Sequence, residues 1–113
     1  MAEDSPKNKR RDPRIPTPQG IWVSWHASGQ QSVSRVRELN FGGLFVTTPN
    51  PPPVGTLLTL LLSVLEGEIR TRAVVRDASP GEGMGVEFTE MGQEAALRLQ
   101  TLIARLLRSM QPK

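Results

Sequence analysis

Residues 37–46 read Arg37-Glu38-Leu39-Asn40-Phe41-Gly42-Gly43-Leu44-Phe45-Val46, and this stretch decides the fold. An alternating segment enters it at residue 33, and a second apolar segment, 44–46, leaves it. Because Asn tolerates left-handed backbone and Gly reaches positive φ without steric cost, the Asn-x-Gly-Gly step predicts a hairpin turn or a bulge. Glu38 and Asn40 are two residues apart, so on an extended strand they face the same way. The paired glycines let a ligand or another backbone approach closely.

A basic segment lies upstream of this turn, with Arg10, Arg11 and Arg14 within five residues. Residues 1–9 are polar and have no apolar period, which predicts a disordered tail. Prolines at 13, 16 and 18 hold the next stretch extended, because each fixes φ and disfavours helix in the residue before it. Three guanidinium groups suit a planar anionic ligand, since they contact phosphate oxygens and the O6/N7 edge of guanine in bidentate fashion.

Six segments have the composition and spacing of strands. They are Ile21–His26, Ser32–Leu39, Leu44–Thr48, Thr56–Leu65, Ile69–Val75 and Met84–Phe88. In the second of them Val36 is out of phase with Val33, so its direction stays open, and Arg35, Arg37 and Leu39 share one side.

Thr56–Leu65 is apolar at nearly every position, so its periodicity fits helix or strand. The short turn Glu66–Glu68 and the clean alternation that follows it favour a strand. Such a strand needs cover on both faces, from the protein interior on one and from a helix or a second subunit on the other. A homodimer is therefore one expected arrangement.

From Gln93 the apolar period changes to 3.6 residues, which predicts an amphipathic helix over 92–110. Its apolar stripe is Leu99, Leu102, Ile103, Leu106, Leu107 and Met110.

The ordered set of motifs resembles the PilZ domain family, whose pattern is RxxxR followed by (D/N)xSxxG. Here the pattern reads Arg10-x-x-x-Arg14 and then Glu38-x-Asn40-x-x-Gly43. The stretch Gly83-Met84-Gly85-Val86-Glu87-Phe88 is similar to the Gly-x-Gly-Val-x-Phe strand that ends the family's barrel. The resemblance covers about residues 9–108. Glu38 stands in the acid position of the pattern and Asn40 in the serine position, and both depart from it.

The resemblance implies a mainly β fold in one domain over 10–110. A flexible basic arm, 10–19, precedes a six-stranded antiparallel β-barrel, 20–88, and a C-terminal amphipathic helix, 92–110. The strands and helix expected from periodicity agree with this arrangement. A small OB-like barrel is the alternative fold.

PilZ proteins characteristically bind cyclic di-GMP, which has two phosphates and two guanines. By resemblance, Arg10 and Arg14 clamp this ligand from the arm, and Arg11 assists them. The implied function is a receptor or adaptor that changes conformation on binding and signals to a partner protein, in the control of motility or biofilm formation.

The resemblance also gives roles to the turn. Glu38 accepts hydrogen bonds from the N1–H/N2–H edge of a guanine, and Gly43 keeps the turn open. Asn40 replaces a hydroxyl with a larger amide that both donates and accepts. Because Glu and Asn change the reach of these groups, the alternative function is a PilZ-like protein–protein interaction module that has lost nucleotide binding.

Composition bounds the other functions. The 113 residues carry a formal charge of +3, a single histidine and no cysteine. These counts exclude disulfides and thiolate metal sites, and with no triad or P-loop motif they predict no enzyme and no cofactor. Single-stranded nucleic acid could stack on Trp22 and Phe41, but aromatic residues are few, which disfavours it. With a polar N-terminus and no long apolar stretch, we expect a cytoplasmic protein without a membrane span.

Overall fold

A computed structural model describes residues 15–17 and 20–110 of the chain, apart from the side chain of Met110. The arm residues Arg10, Arg11 and Arg14 and the tail lie outside the described residues. Within the described part the elements are β1 Ile15–Pro16, β2 Trp22–Ala27, β3 Gln30–Leu39, β4 Gly43–Thr47, β5 Leu57–Val64, β6 Gly67–Ser79, β7 Gly83–Met91 and α1 Gln93–Met110.

Strands β2 to β7 close into an antiparallel barrel. They are hydrogen-bonded in the order β3-β2-β5-β6-β7-β4, and β4 pairs back onto β3. Closure leaves no unpaired edge among these six strands. The prediction of a six-stranded antiparallel barrel followed by one C-terminal helix is confirmed, and the five-stranded OB-like alternative is wrong.

The core is a single cluster shared by the barrel and the helix. Strand β5 contributes its inward residues Leu58, Leu60 and Leu62, which are almost fully buried. Four residues of the predicted stripe of α1 join the same cluster, namely Leu99, Leu102, Ile103 and Leu106, and the helix packs against β6 and β1. The inclusion of Leu107 in the stripe was wrong, because this residue is 45% exposed. On the outer face of β5, Leu57 is 71% exposed. Leu61 on the same face is half-buried, so the described residues of the single chain leave the Leu57 end of this face without the expected cover.

A β-bulge in β3 changes which side chains face outward. The register of β3 against β4 shifts between Val36 and Glu38. Val36 and Leu39 are both fully buried, so the two residues between them, Arg37 and Glu38, both lie on the outside. The expectation that Arg37 and Leu39 share one side is therefore wrong, because the bulge inserts a residue into the alternation.

Strand β1 was not among the predicted strands. Ile15 lies opposite Leu39 and Pro16 opposite Glu38, in antiparallel pairing with β3. The Thr17 N–H donates to the carbonyl oxygen of Arg37 at 3.0 Å, and its hydroxyl donates to that of Val36. Ile15 is buried in the shared core cluster. The start of the described chain is thus fixed against the bulged end of β3.

Candidate functional site

The turn between β3 and β4 is built by the side chain of Asn40. Its Oδ1 accepts hydrogen bonds from the backbone N–H of Gly42 at 2.8 Å and of Gly43 at 2.9 Å. The Asn40 N–H donates to the carbonyl oxygen of Gly43 at 2.9 Å. Neither glycine has a positive φ, so the predicted turn forms without the left-handed glycine conformation on which its prediction rested. The Asn side chain closes the turn by imitating a backbone acceptor, as Asx-turns do.

Gly43 lets β4 approach β7 very closely. A Cβ atom at this position would lie 2.0 Å from the carbonyl oxygen of Val86. The neighbouring carbonyl of Gly42 accepts from the Phe88 N–H at 2.8 Å. The turn is thereby fixed to β7, and its exposed side carries backbone with little side-chain cover.

Glu38 lies on the outside of the bulge between two other strands. Its register partners are Pro16 of β1 and Phe45 of β4. Its side chain is half-buried. Ile15 lies opposite Leu39, one residue before Asn40. The structure thus brings Glu38, Asn40 and Gly43 together at one corner, and the described chain starts at that corner.

Sequence reasoning missed an aromatic–cation pair beside Glu38. The guanidinium carbon of Arg37 lies 4.1 Å from the centroid of the Phe45 ring. Phe45 faces outward, because its neighbours Leu44 and Val46 belong to the core cluster. Its ring is nevertheless only 6% exposed. The sequence feature that could have indicated this pair is an outward-facing aromatic residue, Phe45, on the strand that pairs with the glycine-rich start of β7.

A second pair of charges lies across the turn. The Arg76 Nε donates to the Glu87 Oε1 at 2.5 Å, and both side chains are exposed. Glu87 is the register partner of Gly43. This pair borders the corner on the β7 side and compensates its own charge there, so it adds no net charge to the turn.

A cleft of about 330 Å³ lies elsewhere on the barrel, lined in part by His26, Thr59, Arg72 and Glu90. His26 pairs with Gln31, seven residues along β3 from Glu38, a distance of about 23 Å on an extended strand. The cleft is therefore separate from the corner that contains Glu38.

Among the described residues no group of three or more His, Cys, Asp and Glu could hold a metal ion. No helix in 15–17 and 20–110 is long and apolar enough to cross a membrane.

A family model described as PilZ domain matches residues 8–105. No curated protein sequence matches the chain significantly.

Several solved structures share the fold. The K. pneumonia MrkH–c-di-GMP complex superposes with a TM-score of 0.72 at 17% identity, over 88% of this chain and 52% of that one. The PilZ domain of YcgR from Escherichia coli, solved with c-di-GMP, gives 0.68 at 17% identity over 89% and 93%. The Bacillus subtilis inhibitor of motility MotI/DgrA gives 0.68 at 22% identity over 89% and 54%. This chain therefore spans about half the length of the MrkH and MotI chains.

Proposed function

The chain belongs to the PilZ domain family, and from that membership we propose that it is a receptor for cyclic di-GMP. Two proteins of similar fold, MrkH and YcgR, have been solved with this ligand. The observation that carries the proposal is the corner at the end of β3. There Glu38, Asn40 and Gly43 lie beside β1, the strand that follows Arg14 directly in sequence.

In the proposed complex Glu38 reads one guanine. Its carboxylate accepts from the N1–H and N2–H of the base, a bidentate arrangement that favours guanine over adenine because adenine lacks this pair of donors. Asn40 contributes mainly by shaping the turn, since its Oδ1 already accepts from two backbone amides. Gly43 contributes by letting the turn lie against β7, where a side chain would collide with the Val86 carbonyl.

The arm supplies the positive charge. Arg14 is the residue before Ile15, and neighbouring Cα atoms are 3.8 Å apart. Because Ile15 lies opposite Leu39, the chain brings Arg14 to the end of β3. From there Arg14 and Arg10 clamp the phosphates and guanine edges, and Arg11 assists them. The ligand is thus held between the arm and the outer face of β3.

We propose that strand β1 takes part in signalling to a partner protein. This strand contacts both the bulged end of β3 and helix α1, and Ile15 is buried in the core that α1 shares. A ligand that binds the arm therefore acts on a strand packed against the helix. We propose that ligand binding moves β1 and that a protein partner recognises the change. The process controlled would then be of the kind for which MotI, an inhibitor of motility, is named.

The alternative function is a protein-interaction module without a nucleotide. It is favoured by the exposed apolar residues at the two ends of β5, where Leu57 is 71% and Leu65 is 86% exposed. A second copy of the chain is one proposed partner for this surface.

Substitution of the arm arginines tests the receptor proposal. We expect Arg10→Ala and Arg14→Ala each to weaken cyclic di-GMP binding more than tenfold, because each removes a charge-assisted contact. The melting temperature should change little. Arg70→Ala is the matched control, since Arg70 is an exposed arginine of β6 paired with Leu61 of β5, away from the turn. Equal binding by all four proteins would refute the arm's role.

A further inference from the structure

Arg37 covers an aromatic ring on the outer face of the barrel. Its guanidinium carbon lies over the Phe45 ring, 4.1 Å from the ring centroid. The ring also packs against the backbone of Gly83, where a Cβ atom would lie 2.7 Å from Cε1. Arg37 is itself exposed, so its guanidinium contacts the ring on one side and reaches solvent on another.

The bulge places this Arg37–Phe45 pair directly beside Glu38. Arg37 and Glu38 both lie outward, between the buried Val36 and Leu39. A planar guanidinium and a carboxylate are therefore neighbours on this surface. Glu38 can read only the edge of a base, through hydrogen bonds in the plane of the ring. A guanine whose edge is bound by Glu38 also needs a group that packs against the face of its ring. The solvent-exposed guanidinium of Arg37 supplies a planar group for this contact.

We propose that Arg37, held against the Phe45 ring, is the stacking platform for the guanine whose edge Glu38 reads. The inference rests on the proposed function and adds to it a positioning residue outside the RxxxR and (D/N)xSxxG patterns. A guanidinium is planar, weakly hydrated and stacks on aromatic faces, whereas an ammonium does none of these. The packing of Phe45 on Gly83 fixes the platform before the ligand arrives, which lowers the entropic cost of binding.

Three substitutions at one position separate stacking from charge. Arg37→Ala removes both, Arg37→Lys keeps the charge without the plane, and Arg37→Tyr keeps a plane without the charge. Tyr is compatible with a strand and with an offset stack on Phe45. Loss of one base–platform stack corresponds to roughly 10- to 100-fold in affinity. We therefore expect the Ala and Lys variants to bind cyclic di-GMP at least tenfold more weakly, and the Tyr variant to bind within about threefold of the natural protein.

Calorimetry with cyclic di-GMP is the measurement, with Arg70→Lys and Arg70→Tyr as matched controls that should bind as the natural protein does. Thermal melting of each variant checks that the barrel is intact. If the Lys variant binds normally, or the Tyr variant binds as weakly as Ala, Arg37 acts by charge or not at all and this inference is overturned while the receptor function stands. If the natural protein itself does not bind, the receptor function fails and this inference fails with it.

Discussion

Gly43 lies directly against the backbone carbonyl of Val86 at one end of the β4–β7 ladder, with no room for a side chain between them. A Cβ atom on Gly43 would lie 2.0 Å from the Val86 carbonyl oxygen. At the other end of the ladder, a Cβ atom on Gly83 would lie 2.1 Å from the carbonyl oxygen of Val46. Glycine at both ends therefore permits the close approach of β4 and β7 through which the turn is held to the barrel.

Replacement of Gly43 should destabilise the protein strongly. We expect Gly43→Ala to lower the free energy of unfolding by about 3 kcal/mol or more, because the atom in the way is backbone and cannot rotate aside. Gly42→Ala is the matched control, since its Cβ would meet only Asn40 Oδ1, at 3.6 Å. Urea unfolding of the two variants measures the difference. Equal stability would show that β4 and β7 can separate at low cost.

The two faces of β5 should differ sharply in their contribution to stability. Leu60 is fully buried and Leu57 is 71% exposed on the same strand. Leu60→Ala should cost about 2–5 kcal/mol, from lost apolar burial and the cavity left behind. Leu57→Ala should stay within about 0.5 kcal/mol in the monomer. A large effect of Leu57→Ala on unfolding, dependent on protein concentration, would instead indicate that this surface is covered by a second copy.

Much of the fold could be predicted from alternation and turn chemistry. Five barrel strands and the helix follow from periods of two and 3.6 residues, with Asn40 and the glycines marking the hairpin. Strand β5 follows from the short turn after it and the clean alternation of β6. The bulge at Arg37 and Glu38 could not be predicted, because two consecutive polar residues are as compatible with a strand end as with a bulge. Strand β1 was hidden by Pro16, which lowers strand propensity but is tolerated at an edge.

The candidate site was predictable only in part, for a similar reason. A motif identifies which residues converge, and Glu38, Asn40 and Gly43 do meet at one corner. It does not reveal that the Asn40 oxygen is used by the turn. Nor does it reveal the Arg37–Phe45 pair, which depends on the register of β3 against β4 and on the glycines of β7.

The helix is tied to the barrel by an ion pair whose contribution depends on pH. Arg105 donates to Glu66 through Nε at 2.6 Å and Nη2 at 3.1 Å. The hydrogen bond from Arg105 lowers the pKa of Glu66 below its ordinary value of 4.5. The pair therefore stabilises the fold fully above that value and loses its effect as pH falls through the lowered pKa, where the native carboxylate takes up a proton.

Glu66→Gln should accordingly cost about 1–2 kcal/mol at neutral pH, as expected for a charge-assisted hydrogen bond. The stability difference between the two proteins should begin to shrink below pH 4.5 and be smallest below the lowered pKa of Glu66, where both proteins carry a neutral group at residue 66. Urea unfolding at a series of pH values measures it. A difference that stays constant down to the acid limit would show that the charge of Glu66 is unimportant.

The two departures from the family pattern can be reversed together. Glu38→Asp with Asn40→Ser restores the acid and hydroxyl of the motif, and a Ser oxygen can still accept from turn amides, although more weakly. We expect cyclic di-GMP to bind on the order of tenfold more tightly, from one better-placed polar contact. Weaker binding by the double variant would mean that the longer Glu38 and the Asn40 amide are adapted to this site.

The central claim is that the corner at the end of β3 binds cyclic di-GMP, and calorimetric titration of the natural protein tests it most directly. Cyclic di-AMP serves as the comparison ligand, because it has the same phosphates but lacks the N1–H/N2–H edge that Glu38 would read. The account predicts saturable binding of cyclic di-GMP that is at least tenfold tighter than that of cyclic di-AMP. No heat of binding with cyclic di-GMP at millimolar ligand, or equal affinity for the two ligands, would contradict it.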